Sequence, residues 1–402
     1  MSLIIAALVL LTSCNGTGNT ENEQTAESSS ELSVPEQAIK ASLTVAGEDI
    51  GKYTIVYARS ELYEVGKTLT TEYNFYKLIA EEINTQIYTI TGNTLTLVQD
   101  TESTESRYEI LVGPTNRAES DVYDGMDVYS CKNYVKNGKL AVGGGYNATY
   151  LTADRKTGYC WAATYHAFDF VKEYIAQAVN GGSDTADLAE GFEQKESIDP
   201  ITVACIGDSI TDGAQASNRE ITSWPSVLQR ILWKDYVVIN LGYGGKAISS
   251  KYKDTVCYNA LSKYGESFDI AMIMLGTNDS NRDRDFSSAD DASFNDSALE
   301  LAKNLTKRNT DLKLTIMNCP VYYGSDEFGN AHVRDLQKKL VKLLSDAGYD
   351  SELFDMYEFT KKELTVTRFP DKLHPNAEGY AIMAERLSRL VPELLGEEDT
   401  GM

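Results

Sequence analysis

The sequence predicts an α/β protein in two globular parts. Residues 198–396 are expected to form a parallel five-stranded sheet between helices, and residues 46–180 a smaller α/β domain ahead of it. Two observations predict this. Short, mainly apolar runs recur at 201–206, 237–239, 270–275 and 314–317, as buried strands do, and 352–355 reads as a further strand. Between them the apolar period lengthens to that of a helix: Trp224, Val227, Leu228, Ile231 and Leu232 share one helical face, as do Tyr380, Met383, Ala384, Leu387, Val391 and Leu394. Alternating strands and helices of this kind give a parallel sheet.

Residues 3–11 are an unbroken apolar run, too short for a stable transmembrane helix and the length of a signal-peptide core. Leu11-Thr12-Ser13-Cys14 follows and resembles a bacterial lipobox, in which the cysteine is lipidated and becomes the mature N-terminus. No Lys or Arg precedes the run, which departs from that pattern. A plain secretory signal with a chance cysteine is the alternative, and either reading exports the protein to the bacterial cell surface or medium. Residues 1–14 are therefore expected to be a lipoprotein signal peptide. Residues 15–45, rich in Thr, Asn, Glu, Ser and Gly, are expected to be a flexible tether.

In the smaller domain, Tyr73, Tyr76, Leu78, Ile79 and Ile83 predict a helix and 109–113 a strand. Residues 134–142 read as a hairpin about Asn137-Gly138, a dipeptide suited to a turn with both central residues at positive φ. A helix is expected through Ala162, Phe168, Phe170 and Ile175. The glycines at 143–145 match neither a Rossmann nor a P-loop fingerprint. The acidic, Gly-containing stretch 181–197 reads as the interdomain linker.

Four short motifs carry chemistry: Gly207-Asp208-Ser209-Ile210-Thr211, Asn240-Leu241-Gly242-Tyr243-Gly244-Gly245, Gly276-Thr277-Asn278-Asp279 and Asp371-Lys372-Leu373-His374-Pro375. The first three follow predicted strands directly, at the sheet edge where α/β proteins bind ligands. Alone, each reads equally as a turn or a helix cap. Together they supply what acyl transfer to water requires: a nucleophile, oxyanion donors and an Asp/His pair. Ser209 is the candidate nucleophile, with Gly207 and Asp208 supporting it. Gly242, where a missing Cβ lets backbone N–H approach a ligand, and Asn278, with a side-chain amide, are candidate oxyanion donors; Gly276 supports the latter. The base follows by elimination among three histidines. His166 lies in a helix-like stretch of the other domain, and His332 opens a helix expected at the surface. His374 stands three residues after Asp371, close enough for the carboxylate to hold the imidazole.

At these residues, over about 198–396, the chain resembles the SGNH hydrolases, the GDSL esterase/lipase family. The resemblance implies a flavodoxin-like three-layer α/β/α fold. It also implies a Ser209–His374–Asp371 triad with oxyanion donors at Ser209 N–H, Gly242 and Asn278, and no metal or other cofactor. The smaller domain resembles the α/β domain that precedes the catalytic barrel of hexosaminidases and α-glucuronidases, through residues 109–117 and 139–144. That domain implies a mainly structural role.

A net charge of −23 argues against nucleic acid and against an anionic membrane surface as partners. The expected contact with a membrane is the lipid at Cys14. The three histidines are scattered and no Cys-x-x-Cys occurs, so the sequence holds no metal motif. Among six cysteines, Cys205 and Cys319 fall in predicted strands as core thiols, and Cys131 and Cys160 could pair. The polar, charged stretch from Arg282 to Asp296 reads as an insertion beside the site. The expected function is an exported serine esterase that removes O-acyl groups, acetyl foremost, from an acylated polysaccharide. A lipase, lysophospholipase or thioesterase of the same family is one alternative; a non-catalytic glycan-binding lipoprotein is the other.

Overall fold

The computed structural model describes residues 41–59, 75–127, 129–145, 164, 167–169, 173, 185–217, 219–232, 235–250, 267–282, 288–325 and 327–395. The signal peptide, Cys14, most of the tether, Tyr73, Cys160, His166 and most of the helix expected through Ala162 lie outside these residues.

The N-terminal part contains two sheets. One is three-stranded: β1 (Ser42–Val45) between β2 (Glu48–Asp49) and β8 (Thr185–Leu188). The other has the order β4-β3-β5-β7-β6-β9 and is built from β3 (Thr54–Tyr57), β4 (Thr96–Gln99), β5 (Glu109–Val112), β6 (Ser130–Lys136), β7 (Lys139–Gly144) and β9 (Glu193–Ser197). Helix α1 (Phe75–Thr91) packs on it. The two-residue strand period splits the apolar residues cleanly. Ile55, Ile110, Leu140 and Val142 pack with Ile79, Ile83 and Ile87 of α1, while Val56, Leu111 and Ala141 meet Tyr123 on the opposite face. The β6–β7 hairpin turns at Asn137 and Gly138, with φ of 57° and 79°, as the dipeptide predicts.

Two boundaries differ from the sequence reading. Ser42–Val45 is strand rather than tether. Residues 185–197 are not a free linker: β8 pairs in parallel with β1, and β9 pairs antiparallel with β6. The charged segment Glu193–Ser197 is mostly exposed, so it has no apolar pattern to reveal it. Backbone pairing to β6 decides its conformation.

The C-terminal part contains a five-stranded, all-parallel sheet, order β11-β10-β12-β13-β14. Its strands are β10 (Ile201–Gly207), β11 (Tyr236–Gly242), β12 (Ile270–Met274), β13 (Lys313–Met317) and β14 (Ser351–Phe354). The helices are α2 (Ser209–Asp212), α3 (Arg219–Thr222), α4 (Trp224–Leu232), α5 (Thr277–Arg282), α6 (Ser288–Thr306), α7 (Glu327–Asp346), α8 (Met356–Glu363) and α9 (Ala377–Leu394). Alternation again sorts the faces. Ala204, Ile206, Ala271, Ile273, Leu314 and Ile316 pack under α6 and α7. Val203, Cys205, Met272, Met274 and Met317 pack under α4, α8 and α9. The result is the expected three-layer α/β/α arrangement. The stretch expected as an insertion is largely helical, since α5 runs to Arg282 and α6 starts at Ser288.

Candidate active site

The chain leaves β10 through Gly207 and turns at once into α2. A Cβ on Gly207 would lie 2.0 Å from Thr211 Oγ1 and 2.9 Å from the Met274 carbonyl, so only glycine permits this turn. Asp208 caps α2, its Oδ1 accepting the Ile210 N–H at 2.9 Å. Ser209 is the first residue of α2, where the backbone N–H has no acceptor within the helix. The helix stops after one turn at Gly213, which has φ of 90°.

The second half of the site arrives between β14 and α9. Lys372, at φ 68°, bends the chain so that Asp371 and His374 face each other. His374 Nδ1 donates to Asp371 Oδ2 at 2.7 Å, and Ser209 Oγ lies 2.7 Å from His374 Nε2. The carboxylate selects the tautomer protonated on Nδ1 and leaves the Nε2 lone pair toward the serine. Asp371 Oδ1 also accepts the N–H groups of His374 at 2.8 Å and Leu373 at 3.0 Å. Partial burial opposes its ionisation, but these hydrogen bonds outweigh burial and hold the carboxyl at about 2. Asn376 caps α9 by accepting the Gly379 N–H at 3.0 Å, which ends the loop.

Asn278 opens α5 and is half-buried. Its Nδ2 donates to the Lys246 carbonyl at 2.9 Å and to Asp208 Oδ2 at 3.3 Å, so the amide lies beside the serine turn. Gly276 takes φ of 118° to bring it there. Gly242 is placed differently from the expectation. The next residue, Tyr243, donates its N–H to Gly207 across the strand pair; by alternation the Gly242 N–H points to the outer edge of β11, where Asn240 Oδ1 accepts it at 2.9 Å. What requires glycine at 242 is packing, because a Cβ there would lie 2.2 Å from Asp212 N. The half-buried Gly245, at φ 75°, is on the loop whose Lys246 carbonyl takes the Asn278 amide.

Three residues that the sequence reading did not single out support this centre. Asp279, fully buried, accepts the N–H groups of Ile248 at 3.0 Å and Ser249 at 2.9 Å, fixing the loop after β11. It stands next to Asn278 in the same motif, which was the available signal. Tyr380 of α9 donates to the Ala214 carbonyl at 2.8 Å. Gln215, exposed and at φ 66°, donates to Asp371 Oδ2 at 3.3 Å. Neither has a sequence signal, because each acts across the fold.

The remaining expectations divide. Cys205 is a free buried thiol in β10, as expected, and Cys131 is also free and buried. Cys319 is buried but lies beyond β13, where Thr277 Oγ1 at 2.7 Å and Gln337 Nε2 at 3.0 Å donate to its sulfur. His332 is half-buried on α7 rather than exposed. Among the described residues no group of three or more His, Cys, Asp or Glu is placed to hold a metal ion.

Residues 203–387 match the family model of the GDSL-like Lipase/Acylhydrolase. The C-terminal region is an SGNH hydrolase of the GDSL type. A curated relative of this chain is an acetylxylan esterase from Xylanibacter ruminicola, 36% identical over 92 residues. The match covers 20% of this chain and 18% of the relative, so the chain spans less than a fifth of that protein. Among solved structures, a family two carbohydrate esterase from Clostridium thermocellum in complex with cellohexaose is 19% identical, with a TM-score of 0.39, over 52% of this chain and 69% of that one. A member of the lipolytic protein G-D-S-L family from Veillonella parvula is 18% identical, with a TM-score of 0.37, over 48% of this chain and 97% of that one.

Proposed function

We propose that the SGNH domain is a serine esterase that removes O-acyl groups, acetyl foremost, from a polysaccharide. The observation that carries this reading is the unbroken relay from Ser209 Oγ to His374 Nε2 at 2.7 Å and from His374 Nδ1 to Asp371 at 2.7 Å. In this mechanism Ser209 attacks the ester carbonyl and its proton passes to His374 Nε2. The oxyanion forms against the Ser209 N–H and the Asn278 amide, which gives up its bond to the Lys246 carbonyl in order to donate. The loop through Gly244 and Gly245, rather than Gly242, supplies any further backbone donor. Collapse expels the sugar alcohol, which takes the proton from His374. Water, activated by the same imidazole, then releases the carboxylic acid and restores Ser209. The carbohydrate part of the reading is supported by the acetylxylan esterase relative and by the signal-like N-terminus. On the same reading the protein is exported and anchored through a lipid on Cys14; labelled fatty acid that stayed on a Cys14→Ala variant would reject the anchor.

The decisive experiment is acetate release by the full chain and its Ser209→Ala variant from a panel of acetylated polysaccharides and from para-nitrophenyl acetate. Release from a polysaccharide is expected, with a fall of about 10⁴-fold or more in the variant, because a triad fails as a unit. Turnover surviving in the variant would reject Ser209 as nucleophile. Turnover of the small ester alone would reject the carbohydrate substrate.

A further inference from the structure

We propose that Asp208 is the positioning residue of the oxyanion hole: one carboxylate holds both the helical turn that carries Ser209 and the side-chain amide of Asn278. The inference rests on the reading of Ser209 and Asn278 given above, and it assigns a role to a buried acid that the triad does not use.

The geometry is specific. Asp208 is fully buried. Its Oδ1 accepts the Ile210 N–H at 2.9 Å, and its Oδ2 accepts from Asn278 Nδ2 at 3.3 Å. The Thr277 hydroxyl also lies against this carboxyl and favours its charged form. The groups hydrogen-bonded to its two oxygens are both N–H donors. A carboxylate satisfies both; a proton on Oδ2 would set an O–H against the Asn278 N–H and release the amide. Asn278 donates its other N–H to the Lys246 carbonyl at 2.9 Å. That N–H is the one released to the oxyanion, so Asp208 is then the partner that keeps the amide in place. Without Asp208 the two oxyanion donors, Ser209 N–H and Asn278 Nδ2, are no longer fixed relative to each other. Oxyanion stabilisation depends on that preorganisation.

The surroundings make the charge on Asp208 sensitive near neutral pH. Burial above all, and then the nearby Asp279 carboxylate, push its carboxyl up to about 7, against the Ile210 and Thr277 hydrogen bonds. The titratable groups facing it are Asp279 on α5, Cys319 beyond β13 and Tyr380 on α9. Burial, with Asp208 itself, pushes the Cys319 thiol up to about 12 and the Tyr380 phenol well above its usual range, so both stay neutral while Asp208 titrates. Asp279 spends its oxygens on the Ile248 and Ser249 N–H groups.

Two variants of the full chain test this. Asn and Ser both cap helices well, so Asp208→Asn and Asp208→Ser keep the turn while removing the hold on Asn278. Asn would also turn a donor toward the Asn278 amide, and Ser is too short to reach it. With para-nitrophenyl acetate, kcat is expected to fall about 10- to 100-fold at unchanged KM, with no loss of melting temperature. On the acid side the logarithmic slope of wild-type kcat should be about one unit steeper than that of both variants, because Asp208 adds its own proton to those that must be lost. Wild-type kcat and slope in the variants would overturn the proposal, as would a fall in kcat matched by loss of folding in both. A wild type that neither turns over the ester nor reacts with a serine-directed fluorophosphonate would reject the esterase reading itself. An active, labelled wild type with unaffected variants would reject the role of Asp208 alone.

Discussion

The hydroxyl of Tyr380 donates to the carbonyl of Ala214 at 2.8 Å, joining the helix that follows His374 to the turn that follows Ser209. Triad members 165 residues apart in the chain are held in register by a contact between the segments that flank them. Tyr380 is fully buried, so the bond is shielded from water.

Tyr380→Phe keeps the ring and deletes this bond. It is expected to cost about 1 kcal/mol of stability, the usual net worth of a hydrogen bond, with a further loss if the Ala214 carbonyl stays dry. Because the serine–imidazole geometry loosens, kcat should fall about 3- to 10-fold while KM holds. Urea unfolding and steady-state kinetics on one ester check both; a destabilised variant with wild-type kcat would show that the contact does not position the triad.

Asp371 sets the acid behaviour of the loop. Its folded-state carboxyl, at about 2, lies below the ordinary 3.8, so the bonds it accepts contribute stability above that ordinary value. That contribution is lost as pH falls through about 2. The side chain is 36% exposed, and solvent screening keeps the contribution small. Wild type should therefore exceed Asp371→Asn in urea midpoint at pH 6, with the gap closing toward pH 2. The same variant misorients the imidazole, and its kcat should drop by about 10²- to 10⁴-fold. A gap that widened on acidification would contradict the assignment.

The N-terminal sheet hides an ion cluster. Lys139, 3% exposed, pairs with Glu119 at 3.1 Å, with Glu109 at 3.3 Å and with Glu105, while Arg117 also pairs with Glu109 at 3.3 Å. Lys139→Met would leave the buried Glu119 carboxylate without its cation, while Glu109 keeps Arg117. A loss of about 3–5 kcal/mol is expected, the range for breaking a buried pair on one side. Denaturant unfolding measures it; a loss under about 1 kcal/mol would mean that water reaches the cluster.

How far the sequence could be read depended on whether a feature is local. Four of the five parallel strands were legible because each is a mainly apolar run ending at a turn residue, and β14 followed from the strand–helix alternation. Asp371 and His374 were legible because a three-residue turn places them together whatever the rest of the chain does. Gly242 was misread because the direction of its N–H depends on which side of β11 pairs with β10, and that is fixed by sheet order. Glu193–Ser197 was missed because an exposed, charged strand carries no hydrophobic signature. Tyr380 and Gln215 act on partners more than 150 residues away, beyond any local pattern.

Gln229 has a consequence beyond its own helix. Buried on α4, it donates to the Tyr236 carbonyl at 2.8 Å and accepts the Val238 N–H at 2.7 Å, while Asn240 takes the Gly242 N–H at 2.9 Å. β11 is one of the two outermost strands of its sheet, and such strands offer a template on which stray chains can stack. Here amide side chains already occupy that template along much of its length. The protein guards this β-edge against aggregation with two short polar residues.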